Sequence, residues 1–324
     1  MLRHRARAHD RDRHRAARSR AACPDRVPRG GSRRADPRRG HGRPADEAGG
    51  QARDRSLRRD GRDGAAPVVQ CRPAGRRGGD ALIHEQADIE TVLHFPTRGR
   101  NLLRLQGDLL GAYALGIRNL FVCVGDPVTI GEYPHGSNNV DVTATGLLSM
   151  ITHAFNAGVD RSGTSIGAPT SFFAGAAVAP SAPDLEREAR LLARKAEAGA
   201  RFVLTQPFYS IDPLLALRET YEKVAGEPLT VPVIAGVLPL MMSRHAEFLH
   251  NEVPGIEIPE AARNRMRSAG DDDDRAWEEG AAMAIELIAA LREEGVAGVY
   301  VMPQFGRYDR AAEVVEAARG PATM

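Results

Sequence analysis

The groups best equipped for chemistry stand where short apolar runs end. They are His94 followed by Arg98, Arg100 and Asn101; Gly125-Asp126-Pro127; Ala179-Pro180; Thr205-Gln206-Pro207; Leu238-Pro239; and Met302 through Phe305. Asp126 offers a carboxylate, His94 an imidazole, and Gln206 an amide that can both donate and accept hydrogen bonds. Arg98, Arg100 and Asn101 open a helix, where backbone N–H groups add to contacts with a phosphate. Each has a plainer reading. An Asp between Gly and Pro is a turn former, a mid-helix lysine such as Lys195 is ordinarily solvated, and a histidine inside an apolar run can be a hydrogen-bonded core residue. His245 and His250 are five apart, share no helix face and form no HExxH, so zinc is not indicated. Asp271–Asp274 precedes a helix, where acidic residues favour the dipole, and reads as a cap rather than a cation site.

The elements that must position these groups alternate regularly after residue 80. Six runs rich in β-branched residues have strand character: Thr91–Phe95, Asn119–Val124, Phe172–Val178, Arg201–Gln206, Thr230–Leu238 and Gly298–Met302. Between them lie segments of helical period. Leu102, Leu105, Leu109 and Ala112 share one side of Asn101–Leu115, and Leu185, Ala189, Leu192 and Ala196 share one side of Asp184–Ala198. Trp277, Ala281, Ala284, Ile288 and Leu291 recur every three or four residues before Gly295. Strand, helix, strand in repetition demands parallel pairing through right-handed crossovers. No GxGxxG follows any strand, and polar groups crowd the strands' C-terminal ends. The expected fold is therefore α/β, a (β/α)8 TIM barrel with its site on that face. The barrel is incomplete, because six strands are visible where eight are needed. Ala81–Gln86 reads as the end of the helix preceding Thr91, so strands one and two are missing and an Arg-rich segment stands in their place.

The first 80 residues are of another kind. Of them 23 are Arg and none is Lys, so the overall charge of +2 conceals a basic head on an acidic body. Little there is apolar beyond Pro67-Val68-Val69, too little to offset the roughly 1–2 kcal/mol of backbone entropy per residue, and disorder over 1–80 is expected. Arg without Lys, with Gly, Ala and Pro, is what GC-rich codons yield without selection for a fold, as in an out-of-frame or misannotated start. A nucleic-acid arm would mix in Lys and stacking aromatics, and the segment has no Phe, Tyr or Trp. A transit peptide would be poor in acids. Three cysteines without CxxC spacing indicate neither a disulfide framework nor a zinc site. No run of 18 apolar residues is present to span a bilayer. A cytoplasmic protein without membrane attachment is expected.

In order along the chain, His94-Phe95-Pro96-Thr97-Arg98-Gly99-Arg100-Asn101, Gln106-Gly107-Asp108-Leu109-Leu110-Gly111-Ala112, Gly116-Ile117-Arg118-Asn119 and Gly125-Asp126-Pro127 resemble successive signatures of methylenetetrahydrofolate reductases. Lys195–Ala200 leading to Thr205-Gln206-Pro207, and Gly236-Val237-Leu238-Pro239, do so too. The tail from Gly298 to Pro303 with Phe305–Tyr308 is similar to the reductase module of bacterial bifunctional homocysteine S-methyltransferase/methylenetetrahydrofolate reductases. The resemblance runs from about residue 81 to 318. It implies a flavoprotein in which NAD(P)H reduces FAD, and the flavin passes hydride to 5,10-methylenetetrahydrofolate to give 5-methyltetrahydrofolate, in one-carbon and methionine metabolism. Carried over by position, Asp126 is the carboxylate that stabilises the cationic iminium formed when the methylene bridge opens, and Gln206 hydrogen-bonds the pterin. Lys195 is a ligand of the FAD diphosphate. His94 lies beside the flavin, with Arg98, Asn101 and Gly125 contributing to the cofactor site.

Several positions depart from the family pattern. The general acid, a glutamate on the first strand, has no equivalent, a loss commonly of about 10²–10⁴ in rate. Ala179 stands where relatives carry Asn or His before the Pro, and Val140 where they carry an aromatic. Unpaired edges at Thr91–Phe95 and Gly298–Met302 invite association, and a homo-oligomer remains open. The rival readings are a barrel retained only for binding and an Arg-rich nucleic-acid binder.

Overall fold

Parallel strands leave each other's edges satisfied only when helices carry the chain back, and the repeated strand-to-helix pattern has that consequence here. The structure, a computed structural model, describes residues 69–71, 83, 87, 89–128 and 135–319. The expectations for the Arg-rich stretch up to residue 68, including disorder, a nucleic-acid role and a faulty reading frame, lie outside them.

All strands belong to one parallel sheet in sequential order: β1 Val69–Cys71, β2 Thr91–Pro96, β3 Asn119–Cys123, β4 Phe173–Val178, β5 Val203–Pro207, β6 Val233–Val237 and β7 Gly298–Val301. β2 to β7 are the six expected strands, with ends that coincide or shift by up to three residues. β1 is an addition. Val69, Gln70 and Cys71 pair in register with Thr91, Val92 and Leu93, so a strand occurs within the stretch expected to be disordered. The physical reason is the exposed ladder of β2, which offers a parallel partner the backbone groups that a β-branched residue such as Val69 is suited to meet. β1 and β7 are the two edges of the sheet, and the barrel is incomplete among the described residues.

Connecting helices are α1 Leu102–Ala114, α2 Ala144–Ser149, α3 Leu185–Glu197, α4 Asp212–Ala225, α5 Ser243–Glu252, α6 Glu260–Ala269, α7 Asp273–Glu293 and α8 Tyr308–Arg319, with Ile83 and Ala87 helical before β2. α1 and α3 begin where their caps predict: Asn101 and Asp184 accept from the N–H groups of Arg104 and Arg187. The acidic run before α7 is also a cap, Asp272 accepting from Arg275 N–H with Asp273 and Asp274 in the first turn.

Alternation along the strands divides the apolar residues into two cores. Outward-facing Leu93, Phe95, Leu120, Val122, Ala174 and Ala176 pack under the helices with Leu105, Leu109, Leu192 and Leu217. The concave face holds Val92, Phe202, Leu204, Ile234 and Tyr300, with Phe121, Phe173 and Met302 against them. Phe173 and Phe202 stack with centroids 5.5 Å apart. The inside of the sheet is thus filled with side chains, and a ligand is left the rim at the strands' C-terminal ends. No helix among the described residues is long and apolar enough to cross a membrane.

Candidate active site

The rim is built strand by strand. On β2, His94 pairs in register with Phe121 of β3 and meets its ring at 4.7 Å between centroids. The imidazole is buried, and burial pulls its pKa from 6.5 down to about 4, so it is neutral at physiological pH. Its Nε2 has no hydrogen-bond partner, and neither has Oγ1 of the fully buried Thr97 one turn of chain later. Buried polar atoms without partners cost about 1–3 kcal/mol each. Strand alternation sets the two on opposite faces of the sheet, His94 with Val92 and Phe121 on the concave side and Thr97 with Leu93 and Phe95 beneath the helices.

Beyond Thr97 the β2 and β3 ends are zipped together. The Thr97 and Arg98 amides donate to the Cys123 and Val124 carbonyls at 3.1 and 2.9 Å, and Arg98 Nε donates to the Gly125 carbonyl at 3.0 Å. Gly125 turns the chain with φ +86°, and a Cβ there would lie 3.0 Å from Pro96 Cβ, so no other residue fits easily. This clamp presents Asp126 at the surface of the rim. Cys123 beneath it is held protonated, its pKa raised to about 11 mainly by burial, with the Asp126 charge adding to the rise.

The Arg98, Arg100 and Asn101 group is more occupied than the sequence implies. Asn101 Oδ1 accepts from Arg104 N–H at 2.8 Å, and Asp141 Oδ2 accepts from Leu102 N–H at 3.2 Å. Two of the helix amides expected to be free for a phosphate are therefore already bonded, one of them to a carboxylate that would repel the ligand. Arg100 lies 3.7 Å from Asp108, which Arg104 also pairs at 2.9 Å, and stands over the Phe95 ring. Of this group Arg98 reaches the rim itself, through Gly125.

Lys195 is not a solvated lysine. Its side chain is 12% exposed, and Nζ donates to the Ala177 carbonyl at 2.7 Å and to Glu188 Oε1 at 3.4 Å. Glu188 also accepts from Ala179 N–H at 3.2 Å. Glu188 and Lys195 are seven residues apart, two turns along one face of α3, and together they fix the C-terminal end of β4. An ammonium carries three protons, and with two directed inward one is left for a ligand. Glu188 escaped the sequence reading, although the i, i+7 spacing to Lys195 was there to find.

Gln206 ends β5 with its side chain exposed. The α5–α6 connection comes down beside it, since a Cβ on Gly255 would be 2.8 Å from its Oε1. Next to it on the concave face, Tyr300 of β7 donates to the Thr205 carbonyl at 2.6 Å, and Thr205 Oγ1 accepts from Gly236 N–H at 2.8 Å.

Asp126, the Lys195 ammonium and Gln206 thus belong to the C-terminal ends of β3, β4 and β5, three consecutive neighbours, while His94 lies inside β2, two residues before its end and in the row of Phe121 and Gly175. Three strand spacings separate β2 from β5, about 14 Å along the sheet. A cavity of about 310 Å³ behind β6, lined by Phe208, Tyr209, Pro259 and Met283 among others, includes none of these four. His245 and His250 each accept a backbone N–H through Nδ1, from Met241 at 3.3 Å and Ile258 at 3.2 Å, and so have structural employment. Among the described residues, no group of three or more His, Cys, Asp or Glu is placed to hold a metal ion.

Relatives share this stretch of sequence. "Methylenetetrahydrofolate reductase 1" of Schizosaccharomyces pombe is 23% identical over 66% of this chain and 33% of its own length. The "probable methylenetetrahydrofolate reductase (NADPH)" of Caenorhabditis elegans is 26% identical over 67% of this chain and 30% of its own. The Escherichia coli "5,10-methylenetetrahydrofolate reductase" is 24% identical over 51% of each. The chain therefore spans about a third of the eukaryotic relatives and half of the bacterial one. A Clostridium thermocellum protein described as binding two copies of 5-methyl-5,6,7,8-tetrahydrofolic acid superposes with a TM-score of 0.45 and 13% identity, over 74% of this chain and 78% of its own. The family model for methylenetetrahydrofolate reductase matches residues 79–316. With most of its length matched to that model, the chain belongs to the methylenetetrahydrofolate reductase family.

Proposed function

We propose that the protein reduces 5,10-methylenetetrahydrofolate to 5-methyltetrahydrofolate with NAD(P)H, using FAD held at the rim of the sheet. The observation that supports it most is that Asp126, Lys195 and Gln206 meet three adjacent strand ends, with His94 inside the strand beside them, in the order the family pattern requires. Bound FAD would take a hydride from NAD(P)H and deliver it to the folate. The remaining proton of Lys195 suits a phosphate oxygen.

Stabilisation and orientation fall to the chain's own groups, while the proton that the leaving nitrogen takes up comes from water, since the family's general-acid glutamate has no equivalent here. Opening the methylene bridge of the substrate develops positive charge at nitrogen, and the Asp126 carboxylate stabilises it to the extent that bound substrate excludes water around it. Gln206 orients the pterin by giving and accepting hydrogen bonds along one edge. His94, neutral at its depressed pKa, keeps a second positive charge out of a site that must favour a cation. The domain reading that goes with this function is a reductase-like barrel from residue 81 to 324, cytoplasmic and free of membrane.

Purified full-length chain tests the proposal. A yellow protein with a flavin spectrum that oxidises NAD(P)H with menadione, and then with methylenetetrahydrofolate, is the expected result. A folded, colourless protein that binds folate without turnover would move the reading to a barrel retained for binding.

A further inference from the structure

The cavity of about 310 Å³ behind β6 takes no part in the rim. Its walls come from the start of the β5–α4 connection, the end of β6, α6 and α7, and most of them are apolar: Phe208, Val237, Leu238, Leu240, Met283 and Leu287. One wall is fixed by backbone. At Gly280, α7 crosses the chain that leaves β6 so closely that a Cβ would overlap the Leu240 carbonyl. Native interiors leave few voids larger than a water molecule, and an apolar cavity of about 150 Å³ holds benzene. Twice that volume holds a body of about two rings, at the small end of ligand pockets.

Four side chains supply the polar part of the lining: Tyr209, Ser210, Arg265 and Glu286. The Tyr209 hydroxyl is buried with no hydrogen-bond partner, and burial raises its pKa, so it stays a neutral phenol. Arg265 is already engaged. Its Nη1 and Nη2 donate to the two oxygens of Glu286 at 2.7 and 3.0 Å, and its Nε donates to Glu279. One cation against two carboxylates leaves a net negative charge. The Glu286 side chain is 60% exposed while Ala284 and Leu287 beside it are buried, so that charge stands where the cavity meets solvent. An anion entering there meets repulsion and a guanidinium held in a bidentate fork, whereas a cation meets attraction.

We propose that this cavity is a second small-molecule site, taking an apolar body of about two rings with a hydrogen-bonding group for Tyr209 and a neutral or positively charged end beside Glu286. The site is independent of the folate reading, since none of His94, Asp126, Lys195 and Gln206 lines the cavity.

Three indoles of one body and different charge test it: tryptamine (positive), 3-methylindole (neutral) and indole-3-acetate (negative). In equilibrium dialysis with the full-length chain, the first two are expected to bind with Kd of about 1 mM or below, and indole-3-acetate at least about tenfold more weakly. Tyr209→Phe should weaken tryptamine about three- to tenfold, the range of one hydrogen bond. Its thermal midpoint should be no lower than the parent's, because the substitution deletes a hydroxyl that folding leaves unpaired. Glu286→Gln should weaken tryptamine while leaving 3-methylindole within about twofold. Excess 5-methyltetrahydrofolate should leave both affinities unchanged. Equal binding of all three probes, binding of none, or tryptamine binding insensitive to both substitutions would overturn the assignment. So would displacement by 5-methyltetrahydrofolate, which would put the probe at the rim.

Discussion

Filling the concave face with side chains leaves Gly175 no room to change, and Gly175→Ala tests whether that face is filled. Gly175 is buried on β4, in register with Phe121. A Cβ there would lie 2.4, 2.5 and 2.6 Å from three atoms of the Phe202 ring. Carbon contacts are comfortable at about 3.5–4.0 Å, so the ring must retreat by about 1 Å, into Phe173, which stacks on it, or toward Leu204, Ile234 and Tyr300. Overpacking of this kind costs about 1–3 kcal/mol, and the three simultaneous contacts place Gly175→Ala near the top, at about 3 kcal/mol. At about 2–4 °C per kcal/mol the melting midpoint should fall by about 6–12 °C. Urea and thermal melts followed by circular dichroism on the full-length chain measure this. Phe202→Leu removes the obstructing ring, so the double variant should be more stable than the two single losses imply, by at least about 1 kcal/mol of coupling. Strict additivity, or a Gly175→Ala midpoint within about 0.5 kcal/mol of the parent, would refute a filled interior.

Two other outcomes are expected. His94 and His245 are both held neutral by burial, with values near 4 against 6.5 when unfolded; the unfolded chain takes up protons first, so the stability gained by keeping them neutral is complete above pH 6.5 and lost between 6.5 and 4, at up to about 1.4 kcal/mol per pH unit for each. Urea melts across that window should lose close to one proton of slope in His94→Gln, and an unchanged slope would contradict the burial of that imidazole. Lys195→Met leaves Glu188, 15% exposed, without its cation and should cost about 1–2 kcal/mol; Lys195→Met with Glu188→Gln should recover most of that stability without recovering flavin, whereas recovery of both would make Lys195 a purely structural residue.

Much of the scaffold was legible because it follows from period and punctuation. The six runs from Thr91 to Met302 are strands, and the α1, α3 and α7 stripes lie inward as their spacing requires. β1 was not legible, because three residues have no period and a ladder partner on β2 is a tertiary fact. Pattern reading also missed what side chains do to each other. Asn101 reads equally as a cap or as a phosphate ligand, and the bond to Arg104 N–H makes it a cap. Lys195 reads as solvated until the Ala177 carbonyl and Glu188 are seen beneath it.

Residues whose placement obeys local preference, such as Asp184 capping α3, Asp272 capping α7 and the exposed Asp126 in the Gly125 turn, are satisfied by their own elements or by solvent. His94 is not: it stands inside β2 in the row of Phe121 and Gly175, with Nε2 buried and without a partner, at a cost of about 1–3 kcal/mol that its own strand does not offset. Period and propensity would fill that place with an apolar residue, as they do at Val92 two residues earlier. The buried neutral imidazole is therefore the group that packing of the sheet alone does not explain.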